Sequence, residues 1–407
     1  PMLQQLYKED EAREAAWDAA RAAVETAGGD IRVCEKQLAS CEAEQTKAEE
    51  TARQAKDAAD RFFGQYPLLE PLARERFAAL SKDKGPRYAA QSAEKAQARL
   101  DDALRRREFE VLPAGGMAER TRAMLKVEDG CVNFCTYCII PYARGPVRSL
   151  PKAEAVAQTE HLRREGYREL VFTGIEISSW GRDLKNGESL IDLLEAVSAA
   201  AGDMRLRLGS LEPRTITEDF CRRAAALPHL CPHFHLSLQS GCDATLKRMN
   251  RKYDTARFRE SVRLLNQYFH RPAITTDLIC GFPEETEEEF GQTLAFIEEC
   301  GFAAMHIFPY SIRPGTRAAA MGQVPPAVKE QRTARAGQVA ERMHRAYLEG
   351  CVGQVYPVLF EQAKDGLYTG HAPNYMEVGV AADGLHNVIL DVKITGVDGE
   401  ILRGELT

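Results

Sequence analysis

Cys131, Cys135 and Cys138 stand close together in the segment DGCVNFCTYCIIPYARGPVRS, residues 129–149. A CxxxCxxC loop this compact can bring three thiolates to one face of a cubane iron–sulfur cluster, leaving the fourth iron without a protein ligand. The competing readings are a structural zinc site or an accidental grouping. Structural zinc takes four ligands, and no nearby His or Cys supplies a fourth. The chain has 407 residues and 11 cysteines, an odd number with otherwise irregular spacing. A secreted disulfide framework fits that poorly, so the tight cluster points to metal binding or redox chemistry in a reducing compartment.

The elements around the loop are those that would hold such a site. From residue 119, strands alternate with amphipathic helices. The strands are expected at 124–128, 168–173, 204–209, 234–238, 273–279 and 303–308, and the helices near 152–165, 188–200, 217–226, 254–267 and 285–300. Six β/α repeats imply a parallel sheet curled into a partial (β/α)6 barrel, with its site at the C-terminal ends of the strands. The thiol loop follows the first of those ends. After a helix near 326–349, residues 350–407 alternate polar and apolar in short runs (QVYPVLFE, YMEVGV, NVILDVKI) with Gly and Asn between them. That pattern predicts a small antiparallel all-β barrel, a shape often used for RNA.

Residues 1–110 differ from the rest. They are rich in Ala, Glu, Lys and Arg, and a heptad runs through them. Trp17, Val24, Ile31 and Leu38 recur every seven residues beside a companion row of Ala20, Ala27, Cys34, Cys41, Ala48, Ala55 and Phe62. This is the seam of a coiled coil or long helical hairpin, which makes a homodimer through this arm an expectation. Cys34 and Cys41 sit on the seam, where cysteine packs as a small hydrophobe.

Composition sets the outer limits. With 44% hydrophobic and 28% charged residues the chain is neither collagen-like nor wholly disordered. A formal net charge of −7 excludes a uniformly basic nucleic-acid binder but not a local basic patch. No apolar run approaches the roughly 18–20 residues that cross a bilayer, and PMLQQLYKEDEAREAAW is too polar for a secretory signal. The expected setting is cytoplasmic, without a membrane partner.

CVNFCTYC resembles the cluster loop of radical S-adenosylmethionine (SAM) enzymes. The longer stretch KVEDGCVNFCTYCIIPYARGPVRS is similar to the methylthiotransferases that modify tRNA. TGIEISSWGRD (173–183), LGSLEP (208–213), HLSLQSG (235–241), LKRMNRKY (246–253), TDLICGFPEETEEEF (276–290) and FPYSIRPGTRAAAM (308–321) continue the resemblance in the right order. The C-terminal barrel resembles the family's TRAM domain, including its stretch Gly370-His371-Ala372-Pro373-Asn374-Tyr375. The resemblance covers about residues 118–407. It implies a radical SAM core at 118–349 and a TRAM-like RNA-binding domain at 350–407, with the helical region 1–110 standing where the family has another domain.

In that superfamily SAM chelates the open iron, and an electron from the cluster cleaves it to a 5′-deoxyadenosyl radical. The resemblance therefore gives Cys131, Cys135 and Cys138 a 4Fe-4S cluster, with SAM as second cofactor and an electron donor such as flavodoxin or ferredoxin. Tyr137 either stacks near the adenine or packs the loop. Gly174 would let the backbone approach the amino group of SAM. Glu212 and Gln239 either bond the cofactor's polar groups or serve a structural role, and Gly281 with Pro283 shapes the adenine side. Glu284 stands where the family usually has Gly. Arg144 and Arg148 either meet tRNA phosphates or pair internally.

IIPYARGPVRS most resembles the branch that adds a methylthio group to carbon 2 of N6-threonylcarbamoyladenosine at position 37, beside the anticodon of tRNA. The sister branches act on isopentenyladenosine in tRNA or on a ribosomal protein. One departure is plain: the family normally carries three more cysteines for an auxiliary sulfur-donating 4Fe-4S cluster, and here only Cys34 and Cys41 precede the loop. A single-cluster radical SAM enzyme without full sulfur insertion, or a non-catalytic RNA-binding module, are the alternatives. A chain ending near residue 349 is expected to keep its cluster and bind tRNA more weakly.

Overall fold

The computed structural model describes residues 105–112, 114, 115, 120–364 and 366–407. The heptad segment, Cys34, Cys41 and the dimer expected of them lie outside the described residues. The chain divides into two compact units, Leu104–Ser311 with Met321–Thr407, and Pro1–Ala103 with Ile312–Ala320.

The first unit begins with β1 (Arg122–Lys126), β2 (Glu128–Asp129), the thiol loop, the short helix α1 (Ile140–Arg144) and β3 (Arg148–Ser149). Then follow α2 (Lys152–Arg164), β4 (Glu169–Thr173), α3 (Leu190–Ala201), β5 (Arg205–Leu208), α4 (Glu218–Ala225), β6 (His233–Gln239) and α5 (Asp243–Arg248). The series ends with α6 (Thr255–Tyr268), β7 (Ala273–Cys280), α7 (Glu287–Cys300), β8 (Ala304–Pro309) and α8 (Pro326–Glu349). β1, β4 and β5 pair in parallel, as do β6, β7 and β8. Parallel bridges from Leu206 to Leu230 and from Leu211 to Leu236 join the two sheets. This is the partial (β/α)6 barrel that the alternation of strands and helices predicts.

Period-two alternation decides which side of each strand is buried. Leu170, Phe172, Leu206, Leu208, Leu236 and Leu238 pack with Leu193, Leu194, Phe258 and Ile297 of the helices into one apolar core. Glu169, Arg207 and His235 occupy the intervening positions and so face the inside of the barrel. Local signals place the helices: α7 opens with a capping box between Thr286 and Glu289 and closes on Gly301 in the left-handed region.

The C-terminal strands are β9 (Val355–Lys364), β10 (Leu367–His371), β11 (Glu377–Val380), β12 (Val388–Asp398) and β13 (Ile401–Leu406). They close in the order β10-β11-β13-β12-β9. The expectation of a purely antiparallel barrel is corrected at one pair: β11 and β13 run parallel, Val378 opposite Leu402. Five strands cannot alternate direction all the way around a ring, so one pair must run parallel.

This barrel is seated at the N-terminal ends of the sheet strands. Its core residues Val358, Phe360, Val378, Val392 and Leu402 pack together with Ala273, Ala303 and Leu348. Glu169, fully buried, accepts from Arg205 at 2.6 Å and Arg207 at 2.7 Å. The same arginines donate to the barrel carbonyls of Pro357 (3.0 Å) and Pro373 (2.9 Å). Arg122 adds an ion pair to Glu361 at 2.8 Å.

Candidate functional site

The thiol loop is fastened at both ends and along one side. β2 pairs antiparallel with β3, Glu128 opposite Ser149 and Asp129 opposite Arg148, which ties its two ends together. Cys131 N–H donates to Gly145 O at 3.0 Å. Gly130 has φ +90, and a Cβ there would be driven into the Pro146 carbonyl, so only glycine allows this approach. On the other side the loop leans on residues 248–251. Thr136 donates from its amide to Met249 O (3.1 Å) and from its hydroxyl to Arg248 O (2.9 Å). Asn250 Nδ2 donates to Phe134 O at 2.7 Å.

All three cysteines are unbridged and half-buried. Two sulfurs already accept hydrogen bonds: Cys131 Sγ from the Asn133 amide at 3.5 Å, and Cys135 Sγ from Arg251 Nη1 at 3.3 Å. Donors of this kind, one of them cationic, suit sulfur that carries thiolate charge. Among the described residues no group of three or more His, Cys, Asp or Glu side chains is gathered as one metal ion requires. Three thiols are one ligand short of a structural zinc site, whereas a cubane's three thiolates each meet a different iron. The donor set fits a 4Fe-4S cluster held by Cys131, Cys135 and Cys138.

The other sequence-derived residues separate into two groups. Tyr137 is half-buried; its ring meets Phe282 edge-on at 6.2 Å and its hydroxyl accepts from Arg251 at 3.5 Å. It packs the loop. Glu212 is buried, ion-paired with Arg214 at 2.9 Å, and lines a small cleft with Asn133, Cys135, Asn250 and Arg251. Glu212 also borders a cavity of about 400 Å³ lined by Trp180, Arg182, Arg214 and Phe220, which lies to one side of the thiol loop. Gln239 ends β6 in the left-handed region, φ 67.

The two glycines are close-approach positions, but toward protein. A Cβ on Gly174 would meet the Glu128 carbonyl at 2.7 Å, and one on Gly281 would meet the Lys329 side chain at 2.5 Å. Glu284 holds the left-handed conformation (φ 64) that a family glycine would adopt freely, so the turn keeps its shape at a cost of about 1–2 kcal/mol. Arg148 is 3% exposed and spent internally, on Asp129 at 3.2 Å and on the carbonyls of Arg144 and Pro146. Its burial corrects the idea that it meets tRNA phosphate. Arg144 stays half exposed, 3.9 Å from Asp129.

Sequence reasoning missed Arg251, Glu128 and Glu176. Arg251 links Cys135 to Ser237 O at 3.2 Å, and Tyr253 hydrogen-bonds to the same carbonyl. Burial raises Glu128 to about 8, and the Glu176 amide donates to its Oε2 at 2.6 Å. Glu176 faces Asn133 Nδ2 at 3.4 Å. The motifs TGIEISSWGRD and LKRMNRKY already contained Glu176 and Arg251, but no spacing rule ties either to a cysteine.

A loop of three thiols at the first strand end of a (β/α)6 partial barrel defines a radical SAM enzyme. The radical SAM superfamily pattern matches residues 125–297. The chain is 38% identical over 291 residues to the threonylcarbamoyladenosine tRNA methylthiotransferase MtaB of Chlamydia pneumoniae, covering 70% of this chain and 68% of that protein. It is 36% identical over 285 residues to the enzyme of the same name from Bacillus subtilis (69% and 63%). It is also 37% identical over 285 residues to the tRNA-2-methylthio-N(6)-dimethylallyladenosine synthase of Chloroflexus aurantiacus (68% and 61%). The chain belongs to the radical SAM methylthiotransferase family, and so is a transferase. It spans about two thirds of the length of the relatives it matches, or slightly less. Cys131, Cys135 and Cys138 would hold a 4Fe-4S cluster, which would supply one electron to SAM. Among the described residues no helix is long and apolar enough to cross a membrane.

Proposed function

We propose that this chain is a cytoplasmic tRNA methylthiotransferase acting at carbon 2 of N6-threonylcarbamoyladenosine at position 37, beside the anticodon. The observation that carries this is the pinned Cys131–Cys135–Cys138 loop, in a chain with relatives named for that nucleoside at up to 38% identity. The small closed barrel at 355–406 supports an RNA substrate, since such barrels bind oligonucleotides. Cys131, Cys135 and Cys138 hold the cluster; Glu212 and Gln239 sit at strand ends where SAM's polar groups would lie. Flavodoxin or ferredoxin supplies the electron.

Relatives named for dimethylallyladenosine match at similar identity, so the isopentenyladenosine reading stands second. Nucleoside mass spectrometry separates them. Anaerobically reconstituted chain is incubated with tRNA bearing either modified adenosine, and the 2-methylthio product is sought. Product only on the isopentenyl tRNA would overturn the first reading. An iron count of about eight rather than about four per chain would show that the auxiliary cluster is present despite the shortage of upstream cysteines, since each 4Fe-4S cluster carries about four irons.

A further inference from the structure

Beside the thiol loop, the segments that follow β4 and β5 enclose the cavity of about 400 Å³ that Glu212 borders. That volume falls in the range of small-ligand pockets, about 300–1,000 Å³. None of its lining residues belongs to a barrel strand. Trp180 and Phe220, both buried, give it an apolar floor, and Arg182 brings a guanidinium to its wall. Glu212 also lines the small cleft that contains Cys135, so one side chain is shared by the cavity and the thiol loop's surroundings.

Charge in the cavity is unbalanced. Its three carboxylates already hold cations: Glu188 pairs with Lys152, Glu212 with Arg214 at 2.9 Å, and Asp219 with Arg222 and Arg223. Arg214 is thereby spent. Among the described residues Arg182 makes no ion pair; its charge reaches Glu176, whose carboxyl burial pushes up, from farther off. One positive charge is left over beside an apolar floor.

The loop that carries Arg182 is fixed on both sides. Trp180 Nε1 donates to Leu150 O at 2.9 Å, and Asp183 accepts from the Ser149 amide at 3.0 Å and the Ser149 hydroxyl at 2.6 Å. Gly181, at φ +90, passes so close to the Glu188 carbonyl that a Cβ would collide with it. Ser149 belongs to β3, whose pairing with β2 ties the ends of the thiol loop. Arg182 therefore keeps a set position relative to the cysteines.

The nucleoside proposed above has matching chemistry. C2 and C6 of adenine flank the same ring nitrogen, so a base that turns C2 toward the cluster loop carries its N6 substituent off to one side. In N6-threonylcarbamoyladenosine that substituent ends in a carboxylate, a hydroxyl and a methyl group. In isopentenyladenosine it is a branched hydrocarbon.

We propose that the cavity between the segments after β4 and β5 is a subsite for the threonyl end of the modified base, in which Arg182 pairs with its carboxylate and the Trp180–Phe220 floor takes its methyl group. The proposal rests on the threonylcarbamoyladenosine reading above and names the residue that selects that nucleoside over an apolar one. A guanidinium matches a carboxylate with two parallel hydrogen bonds, whereas a hydrocarbon in the same place would strip water from Arg182 and return nothing.

Fluorescence anisotropy with the full chain, reconstituted and kept anaerobic, tests this without turnover. Two labelled anticodon stem–loop RNAs carry, immediately 3′ of the anticodon, N6-threonylcarbamoyladenosine or its methyl ester, which keeps the shape and removes the charge. Wild type is expected to prefer the free acid by about tenfold, with or without SAM. Arg182→Gln is expected to lose most of that preference while binding the ester as wild type does. A preference that survives Arg182→Gln, or a variant that weakens both RNAs alike as a phosphate contact would, overturns the subsite and leaves the tRNA reading standing. A preference that SAM abolishes would give the cavity to SAM's own carboxylate, with the same consequence. Equal wild-type affinity for acid and ester would overturn the subsite alone if the product assay above shows turnover of threonylcarbamoyladenosine tRNA; without that turnover the nucleoside reading falls with it. Failure of wild type to bind either RNA would overturn the subsite and the tRNA reading together.

Discussion

Arg251 and Cys135, 116 residues apart in sequence, meet at 3.3 Å, and the second guanidinium nitrogen of Arg251 holds the Ser237 carbonyl at 3.2 Å. One half-buried cation thereby couples the thiol loop to the inner strand face. Positive charge beside a cluster ligand favours the reduced, more negative cluster. Arg251→Met is therefore expected to lower the cluster's reduction potential, with Arg251→Lys falling between. Dye-mediated redox titration followed by electron paramagnetic resonance measures it; an unchanged potential in the Met variant would contradict the coupling.

Gly130 permits the close pass between the loop's two ends. Gly130→Ala combines an unfavourable φ with a collision against Pro146, so the β2–β3 pairing should fail. The expected result is a several-fold loss of bound iron after reconstitution, with the far-ultraviolet circular dichroism retained. Full iron loading would show that the loop does not depend on this contact.

Much of this was legible in advance, for reasons that differ by element. The six barrel strands follow from apolar alternation, and each lies within about two residues of its expected span because one face is buried under helices. The thiols were legible from spacing alone. Arg251 was not, because its role is fixed by how 248–251 folds against 133–136, and no local pattern carries that information. Arg148 stayed open between tRNA phosphate and an internal pair for the same reason, and Asp129 with two carbonyls encloses it.

Burial pushes the Glu169 carboxyl up, but Arg207, Arg205 and Arg122 pull it harder, to about 2. Its folded value lies below the ordinary 4.5, so its stabilisation is complete above that pH and is lost as pH falls toward 2. The loss is on the order of a few kcal/mol. Urea midpoints of the wild-type chain should fall more steeply across that window than those of Glu169→Gln, which should start lower at pH 7. Parallel curves would contradict this.

A chain ending near residue 349, expected to keep its cluster and bind tRNA more weakly, would also lose contacts that support the core. Such a chain would lose the carbonyls of Pro357 and Pro373 that Arg205 and Arg207 bond, and would uncover Ala273, Ala303 and Leu348. The two arginines would keep Glu169 but lose their carbonyl acceptors, and the uncovered apolar side chains would meet water, both of which cost stability. Truncation is expected to lower the melting temperature or abolish soluble protein, so RNA binding is better tested by point substitution. A soluble truncated chain with an unchanged melting temperature would show that the barrel is dispensable to the core.

The central claim is that Cys131, Cys135 and Cys138 together hold the cluster that cleaves SAM. Its most direct test is 5′-deoxyadenosine formation by anaerobically reconstituted, dithionite-reduced protein, measured by liquid chromatography for wild type and each single Cys→Ala variant. Wild type should release 5′-deoxyadenosine, and each variant should lose both the brown chromophore and the product. Any one variant that cleaves SAM at the wild-type rate would contradict the assignment.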